Sequence, residues 1–180
     1  MKLTELLQNK TRNFIWLTLG LVLIAVGLYF HSAQSVLSFD RVPDYQETVN
    51  QESLPVRVRI ERIGIDLPVT ESKIKNGVWE ISDTGASHLG VSGRPGKSNM
   101  VIYGHNRAHL FGPLFKIEGG DLVEIRDEND EVYIYMVEKI LEVNPNQVEV
   151  IAPTEEEILT LYTCSGFLDS KRLIVVAKPI

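Results

Sequence analysis

The sequence predicts a mainly β fold: an eight-stranded barrel, closed or nearly closed, with short helical turns, preceded by one N-terminal transmembrane helix. Three observations support this prediction. An uncharged apolar run occupies residues 14–30 of the 180-residue chain. Eight short segments rich in β-branched and aromatic residues then follow between residues 55 and 180, and clusters of glycine and proline separate them. A β-sandwich is the alternative architecture.

The apolar run, FIWLTLGLVLIAVGLYF, has the composition of a membrane anchor. As a helix it would extend roughly 26 Å at about 1.5 Å per residue, which is near the lower limit for crossing a bilayer. Lys2, Lys10 and Arg12 precede it. By the positive-inside rule, residues 1–13 stay cytoplasmic and the chain beyond the run is extracytoplasmic, in a single-pass topology. A cleaved signal peptide is the alternative, although its apolar core is normally shorter.

The part beyond the run divides into a linker and a domain. Residues 31–54 are polar and show no sustained period, which predicts an extracytoplasmic linker. Residues 55–180 form the predicted barrel. The net charge of −6 argues against nucleic-acid binding, which requires a basic surface. A single cysteine excludes an intrachain disulfide and a zinc site built on several thiolates.

Alternating or continuous apolar patterns place the strands of the barrel. The predicted strands are 56–60, 65–69, 78–81, 100–103, 122–126, 132–143, 158–164 and 173–177. A helical turn is predicted near residues 109–115. His88 lies between Gly85 and Gly90 and is interpreted as a turn residue.

Cys164 ends the apolar strand 158–164 and precedes a flexible Ser-Gly pair. A buried small hydrophobe is one interpretation, as for most free cysteines. Outside the membrane, however, a lone thiol is open to oxidation and has no disulfide partner. An accessible nucleophile is therefore the other interpretation. It would need a proton partner, because a thiol pKa of about 8.5 leaves only a few per cent thiolate at neutral pH.

Two further residues could complete a site with this thiol. His105 follows the strand 100–103 and, like Cys164, stands where a strand gives way to a loop, so it is the favoured proton partner. Arg172 opens the last strand, and a tight turn could return it to the side of the thiol. Its ionised guanidinium offers five donors for the negative charge of an acyl-transfer transition state. An ordinary solvated arginine at a strand end is the alternative.

A metal site has weaker support in the sequence. His105 and His109 have the spacing of a helical histidine pair, but Asn106 stands where a zinc peptidase needs its glutamate. The sequence contains no Gly-x-Ser-x-Gly, so a serine-hydrolase elbow has no support either.

Three stretches carry a specific resemblance: NMVIYGHN at residues 99–106, LTLYTC at residues 159–164, and Arg172 at the head of the last strand. In this order they resemble the sortases, membrane-anchored cysteine transpeptidases of bacterial surfaces, over residues 55–180. The resemblance implies a sortase-type eight-stranded β-barrel with its active site at one end. It also implies that Cys164, His105 and Arg172 are catalytic, and that Thr163 and Arg172 contact the substrate.

The reaction implied by this resemblance is cleavage of a Leu-Pro-x-Thr-Gly-like sorting signal after Thr. Cys164 would form a thioester, and an amine from a cell-wall peptide or a pilin lysine would resolve it. His105 would act as general acid and then as base. A hydrolytic cysteine peptidase on the same barrel and a non-catalytic membrane-tethered binding module are the alternatives.

Two secondary expectations concern the surroundings of the site. The resemblance implies no cofactor, although some sortases bind Ca²⁺ on a loop; here Glu142 and the acidic turn 127–130 are interpreted as solvated charge. Residues 39–44 only loosely match an Asp-Pro-aromatic lid. The sequence therefore favours an open substrate groove.

Overall fold

The computed structural model describes residues 13–27, 37–45, 53–75 and 78–180. The chain divides into two compact units, Met1–Ser35 and Val36–Ile180. In the first unit, helix α1 covers residues 13–27. None of the helices among the described residues combines the length and the hydropathy that a membrane span requires. The remainder of the predicted anchor, residues 28–30, and nearly all of the predicted cytoplasmic segment lie outside the described residues.

In the second unit, eight strands close into a barrel, as predicted, in the order β1-β2-β5-β6-β9-β10-β8-β7. A separate two-stranded hairpin is formed by β3 and β4. The strands are β1 (Pro55–Ile60), β2 (Ile65–Ser72), β3 (Ile74–Lys75), β4 (Val78–Trp79), β5 (Ala86–Leu89), β6 (Asn99–Tyr103), β7 (Leu122–Asp127), β8 (Val132–Val143), β9 (Ile158–Ser165) and β10 (Lys171–Pro179). Short 3₁₀ turns cover Glu61–Ile63, Gly112–Lys116, Val148–Ile151 and Phe167–Asp169.

One predicted barrel strand is wrong. Residues 78–81 do not join the barrel, because Val78–Trp79 pairs only with β3. The missing member is β5, which runs parallel to β2 and antiparallel to β6. All four of its residues are buried, so it lacks the polar and apolar alternation that marks a half-exposed strand.

His88 is consequently a buried strand residue and not a turn residue. Its Nε2 lies 2.9 Å from the carbonyl oxygen of Gly93, which identifies this nitrogen as the protonated one. Burial lowers the pKa of His88 to about 4, a bond to Gly93 opposes this shift, and the charge of Arg94 adds to it. The side chain is therefore neutral at physiological pH.

The barrel has apolar side chains on both faces of the strands that carry the candidate site. Leu159 and Leu161 of β9 point into the barrel interior, whereas Tyr162 and Cys164 belong to a second layer on its outer face. We call this second layer the outer cluster; its buried members are Leu37, Phe39, Trp79, Leu89, Val101, Tyr103, Val143, Val148, Ile151, Tyr162, Cys164 and Ile174.

Candidate active site

The pairing of three strands brings the three predicted site residues together. Strands β6 and β9 are parallel, and their last register pair is Tyr103 with Tyr162. Two residues further along each strand lie His105 and Cys164, and the N–H of Gly104 still donates to the carbonyl of Tyr162 at 3.2 Å. On the other side of β9, Arg172 of β10 is the register partner of Cys164. Neighbouring strands lie about 4.8 Å apart, so the backbone position of Cys164 lies between those of His105 and Arg172.

The backbone before His105 is fixed from two directions. The Thr163 hydroxyl donates to the carbonyl of Gly104 at 2.7 Å, from a fully buried position. A Cβ at Gly104 would lie 3.1 Å from the ring of Phe111, so a larger residue there would displace one of the two. The hydroxyl of Thr163 is thus engaged within the protein, and its contact with substrate stays a prediction.

The Cys164 thiol is 1% exposed. Burial raises its pKa to about 11, while the Arg172 charge lowers it, the Asp169 charge raises it, and a hydrogen bond from the backbone of Leu37 lowers it. In this conformation the sulfur is therefore protonated at neutral pH.

The His105 side chain is neutral at physiological pH. Burial lowers its pKa, Arg107 lowers it further, and the charges of Asp83 and Asp169 oppose the shift. The Nε2 atom lies 3.6 Å from a carboxylate oxygen of Asp83. A neutral imidazole can accept a proton from a thiol, which is the first requirement for a general base.

Arg172 is 3% exposed, so the alternative of a solvated arginine is wrong. Its Nη1 donates to the carbonyls of Asp169 and Lys171, both at 2.8 Å, and its Nη2 donates to the carbonyl of Ser38 at 2.8 Å. The Nε atom has no hydrogen-bond partner among the described residues. The guanidinium is thus held rigidly while one buried N–H stays available for an acceptor.

A segment of the predicted linker covers this group of residues. We call residues 37–45 the strap. Tyr162 donates to the carbonyl of Leu37 at 3.2 Å, and the ring of Phe39 packs edge-on against Tyr162 with centroids 5.4 Å apart. Further along, the N–H of Asp40 donates to the carbonyl of Pro145 at 3.0 Å. The expectation of an open groove is therefore wrong.

The strap could be missed in the sequence because main-chain atoms make most of its polar contacts. The two buried residues of the strap, Leu37 and Phe39, are apolar, but they show no regular period with the other residues of this stretch. Leu37 also has a φ of 82°, a left-handed conformation that is strained for a leucine. Sequence patterns likewise gave no signal for Asp83 and Asp169, the two carboxylates that raise the pKa of His105.

The acidic residues considered for a cation are engaged with other protein groups. Glu142 pairs with Lys171 at 2.7 Å. One oxygen of the Asp127 carboxylate accepts the backbone N–H groups of Asn129 and Glu131. Across the parts of the chain that the structure describes, no group of three or more His, Cys, Asp or Glu side chains could hold a metal ion.

Known proteins share this fold and match this sequence. The family model of the sortase domain matches residues 58–180. The chain belongs to the sortase family. Its sequence is 28% identical to sortase A of Bacillus anthracis over 142 residues, which cover 75% of this chain. The match spans 65% of the length of that relative.

Solved sortase structures share the architecture. Sortase C1 of Streptococcus agalactiae superposes with a TM-score of 0.59 at 29% identity, over 69% of this chain and 66% of the other. Sortase C of Streptococcus pneumoniae superposes with a TM-score of 0.63 at 25% identity, over 84% of each chain. This family member therefore resembles both sortase A sequences and sortase C structures.

Proposed function

We propose that this protein is a cysteine transpeptidase that cleaves a Leu-Pro-x-Thr-Gly-like sorting signal after Thr and transfers the acyl group to an amine. The observation that carries the proposal is the strand register that places Cys164 between His105 and Arg172. Membership of the sortase family supports the substrate class. The acceptor would be a cell-wall peptide or a pilin lysine.

The first step forms the thioester. The Cys164 sulfur attacks the threonine carbonyl carbon, and its proton passes to the neutral imidazole of His105. The carbon–nitrogen bond then breaks, and His105 delivers that proton to the departing amino group. These proton transfers start from the neutral thiol and the neutral imidazole, the forms that burial favours in the strap-closed structure.

The second step reverses these roles. The incoming amine attacks the thioester carbonyl, and His105 accepts its proton. The carbon–sulfur bond breaks, and the proton returns to the sulfur, so the enzyme is regenerated. Thiol, imidazole and guanidinium supply every group that the two steps need, and no cofactor is required.

Arg172 would stabilise the negative charge on the carbonyl oxygen in both tetrahedral intermediates. Its Nε lacks a partner among the described residues, and its Nη2 is released when the carbonyl of Ser38 withdraws. Fixed donors in a buried site typically contribute several kcal/mol to such a transition state.

The location of the enzyme is also part of the proposal. Residues 14–30 would anchor the chain in the cell membrane with residues 1–13 in the cytoplasm and residues 31–54 outside, because the run is uncharged and basic residues precede it. Tethering enzyme and substrates to one surface would raise their effective concentration. Residues 55–180 would be the catalytic domain.

A peptide assay tests the function. The full chain in detergent micelles is incubated with fluorogenic sorting peptides, with and without triglycine, and Cys164→Ala serves as the inactive control. A ligated product that depends on triglycine supports the proposal. Free acid as the sole product, even with triglycine, would identify a hydrolytic peptidase, and no turnover across a peptide library would identify a binding module.

A further inference from the structure

Tyr162 is a buried hydroxyl donor that the proposed chemistry does not use. It lies on β9 two residues before Cys164, on the same outer face of the strand. Residues at this spacing lie about 6.6 Å apart along a strand. The Tyr162 side chain is therefore next to the thiol without touching the atoms that react.

Neighbouring rings fix the orientation of this side chain. Tyr162 is stacked on Tyr103 with ring centroids 5.1 Å apart and an interplanar angle of 15°. Phe39 of the strap contacts its edge. Burial raises the pKa of Tyr162 well above its usual value, so the hydroxyl stays protonated. A rigid phenol of this kind donates one hydrogen bond in a defined direction.

The two stacked tyrosines differ in what their hydroxyls contact. The Tyr103 hydroxyl lies 2.7 Å from the Ser72 hydroxyl and donates to the carbonyl of Glu80 at 2.5 Å, and neither of these residues belongs to the strap. The Tyr162 hydroxyl donates instead to a strap carbonyl, that of Leu37. Arg172 donates to the next strap carbonyl, that of Ser38.

The contacts of the strap therefore show how the surface around Cys164 can bind a peptide backbone. Two donors beside the thiol, one neutral and one charged, hold consecutive main-chain carbonyls of a chain segment lying across the site. A substrate must displace the strap to reach Cys164. Once the strap leaves, the Tyr162 hydroxyl loses its acceptor, and the carbonyl of a bound peptide can take the place of the Leu37 carbonyl.

We propose that Tyr162 is a positioning residue that donates a hydrogen bond to a backbone carbonyl of the bound peptide, at the place taken by the Leu37 carbonyl. The proposal rests on the proposed function and extends it. Recognition here is of the peptide main chain, so Tyr162 contributes to affinity for any peptide that crosses the site. It does not select a side chain.

Tyr162→Phe would weaken the binding of the strap as well as the binding of the substrate, and the two losses would offset each other in the measured affinity. The test must therefore separate the two effects. We therefore place Tyr162→Phe in a chain that already carries Leu37→Ser and Phe39→Ser, whose strap has lost its two buried side chains. The matched control is Tyr103→Phe in the same background, since it removes a hydroxyl from the stacked partner ring.

Two readouts are measured in this background: kcat and KM for a fluorogenic sorting peptide, and the affinity of a fluorescent sorting peptide for the corresponding Cys164→Ala proteins. Loss of one neutral hydrogen bond predicts a three- to tenfold rise in KM and in Kd for Tyr162→Phe, with kcat within twofold. Tyr103→Phe should leave both within twofold.

Unchanged KM and Kd in Tyr162→Phe would overturn the inference, as would an equal loss in Tyr103→Phe, which would indicate a general effect of the ring layer. Failure of the proposed function is distinguishable, because it appears as no turnover by the unaltered chain. Peptide binding still tests Tyr162 in that case. Thermal unfolding of each variant checks that the fold is intact.

Discussion

Phe39 provides a quantitative test of whether the strap controls access to the thiol. Its side chain is 4% exposed and contacts the rings of Tyr162 and Trp79, with centroids 5.4 and 6.2 Å away. Phe39→Ala removes these contacts and leaves the rest of the strap in place. The barrel core inside β9 is untouched, so the loss falls on the closed state of the strap.

The magnitude follows from the burial of the ring. Truncation of a buried phenylalanine costs about 3–5 kcal/mol, and the lower value suits a surface segment that can relax. Each 1.4 kcal/mol is a tenfold change in an equilibrium, so about 3 kcal/mol raises the open population about 100-fold. Opening also removes the burial that raises the pKa of Cys164, which further favours reaction.

Alkylation of Cys164 by iodoacetamide at pH 7.5, followed by intact mass, measures this population, because only the open state exposes the sulfur. Phe39→Ala should react about 100-fold faster than the unaltered chain. Phe115→Ala is the control, since that ring is 52% exposed and lies outside the strap. Equal alkylation rates in Phe39→Ala and the unaltered chain would refute the assignment of the strap as the cover of the site.

Three further predictions concern Gly104, beside the site, and two buried polar residues of the barrel, His88 and Asn99. The pKa of His88 falls from 6.5 to about 4 on folding, so stability is complete above pH 6.5 and declines as the pH falls towards 4. The free energy of unfolding falls by about 3 kcal/mol over this range. Urea unfolding at pH 7 and at pH 4.5 should show a smaller difference in stability for His88→Gln than for the unaltered chain. An equal difference in the two proteins would contradict this prediction. Gly104→Ala brings a Cβ to 3.1 Å from the Phe111 ring and should lower both kcat and the melting temperature, with a stability cost of about 1–3 kcal/mol; unchanged kcat would show that the backbone before His105 tolerates the shift. Asn99 donates to the carbonyls of Val150 and Ala152, and Asn99→Asp cannot. Hydrogen exchange should therefore show lower protection of the turn Val148–Ile151, with Asn129→Asp as the matched control, and equal protection in both variants would argue against this role.

The positions of the site residues could be predicted from the sequence because all three lie at the ends of strands. Cys164, His105 and Arg172 each stand where an apolar strand meets a loop, and such boundaries are visible as a change in residue type. Pairing in register then brings them together. Gly104 and Thr163 are 59 positions apart in the chain, and their contact requires only that β6 and β9 are neighbours.

Two features were not accessible for identifiable physical reasons. Strand β5 is short and buried on both faces, so its glycine-flanked sequence has no period to detect. The hydrogen bonds from Tyr162 and Arg172 to the strap end on main-chain carbonyl groups, which every residue carries, so they leave no trace in the choice of side chains. Both depend on tertiary neighbours, which local patterns do not encode.

The parallel pairing of β6 with β9 has a consequence for how this protein can vary. Because Cys164 and His105 lie at the ends of two strands that no short turn connects, the loops in between set neither the spacing nor the direction of the two residues. Insertions there change the entropy of closing the connection only slowly with length. An exposed connection such as residues 128–131, between β7 and β8, can therefore be lengthened or exchanged while the two strand ends keep their places.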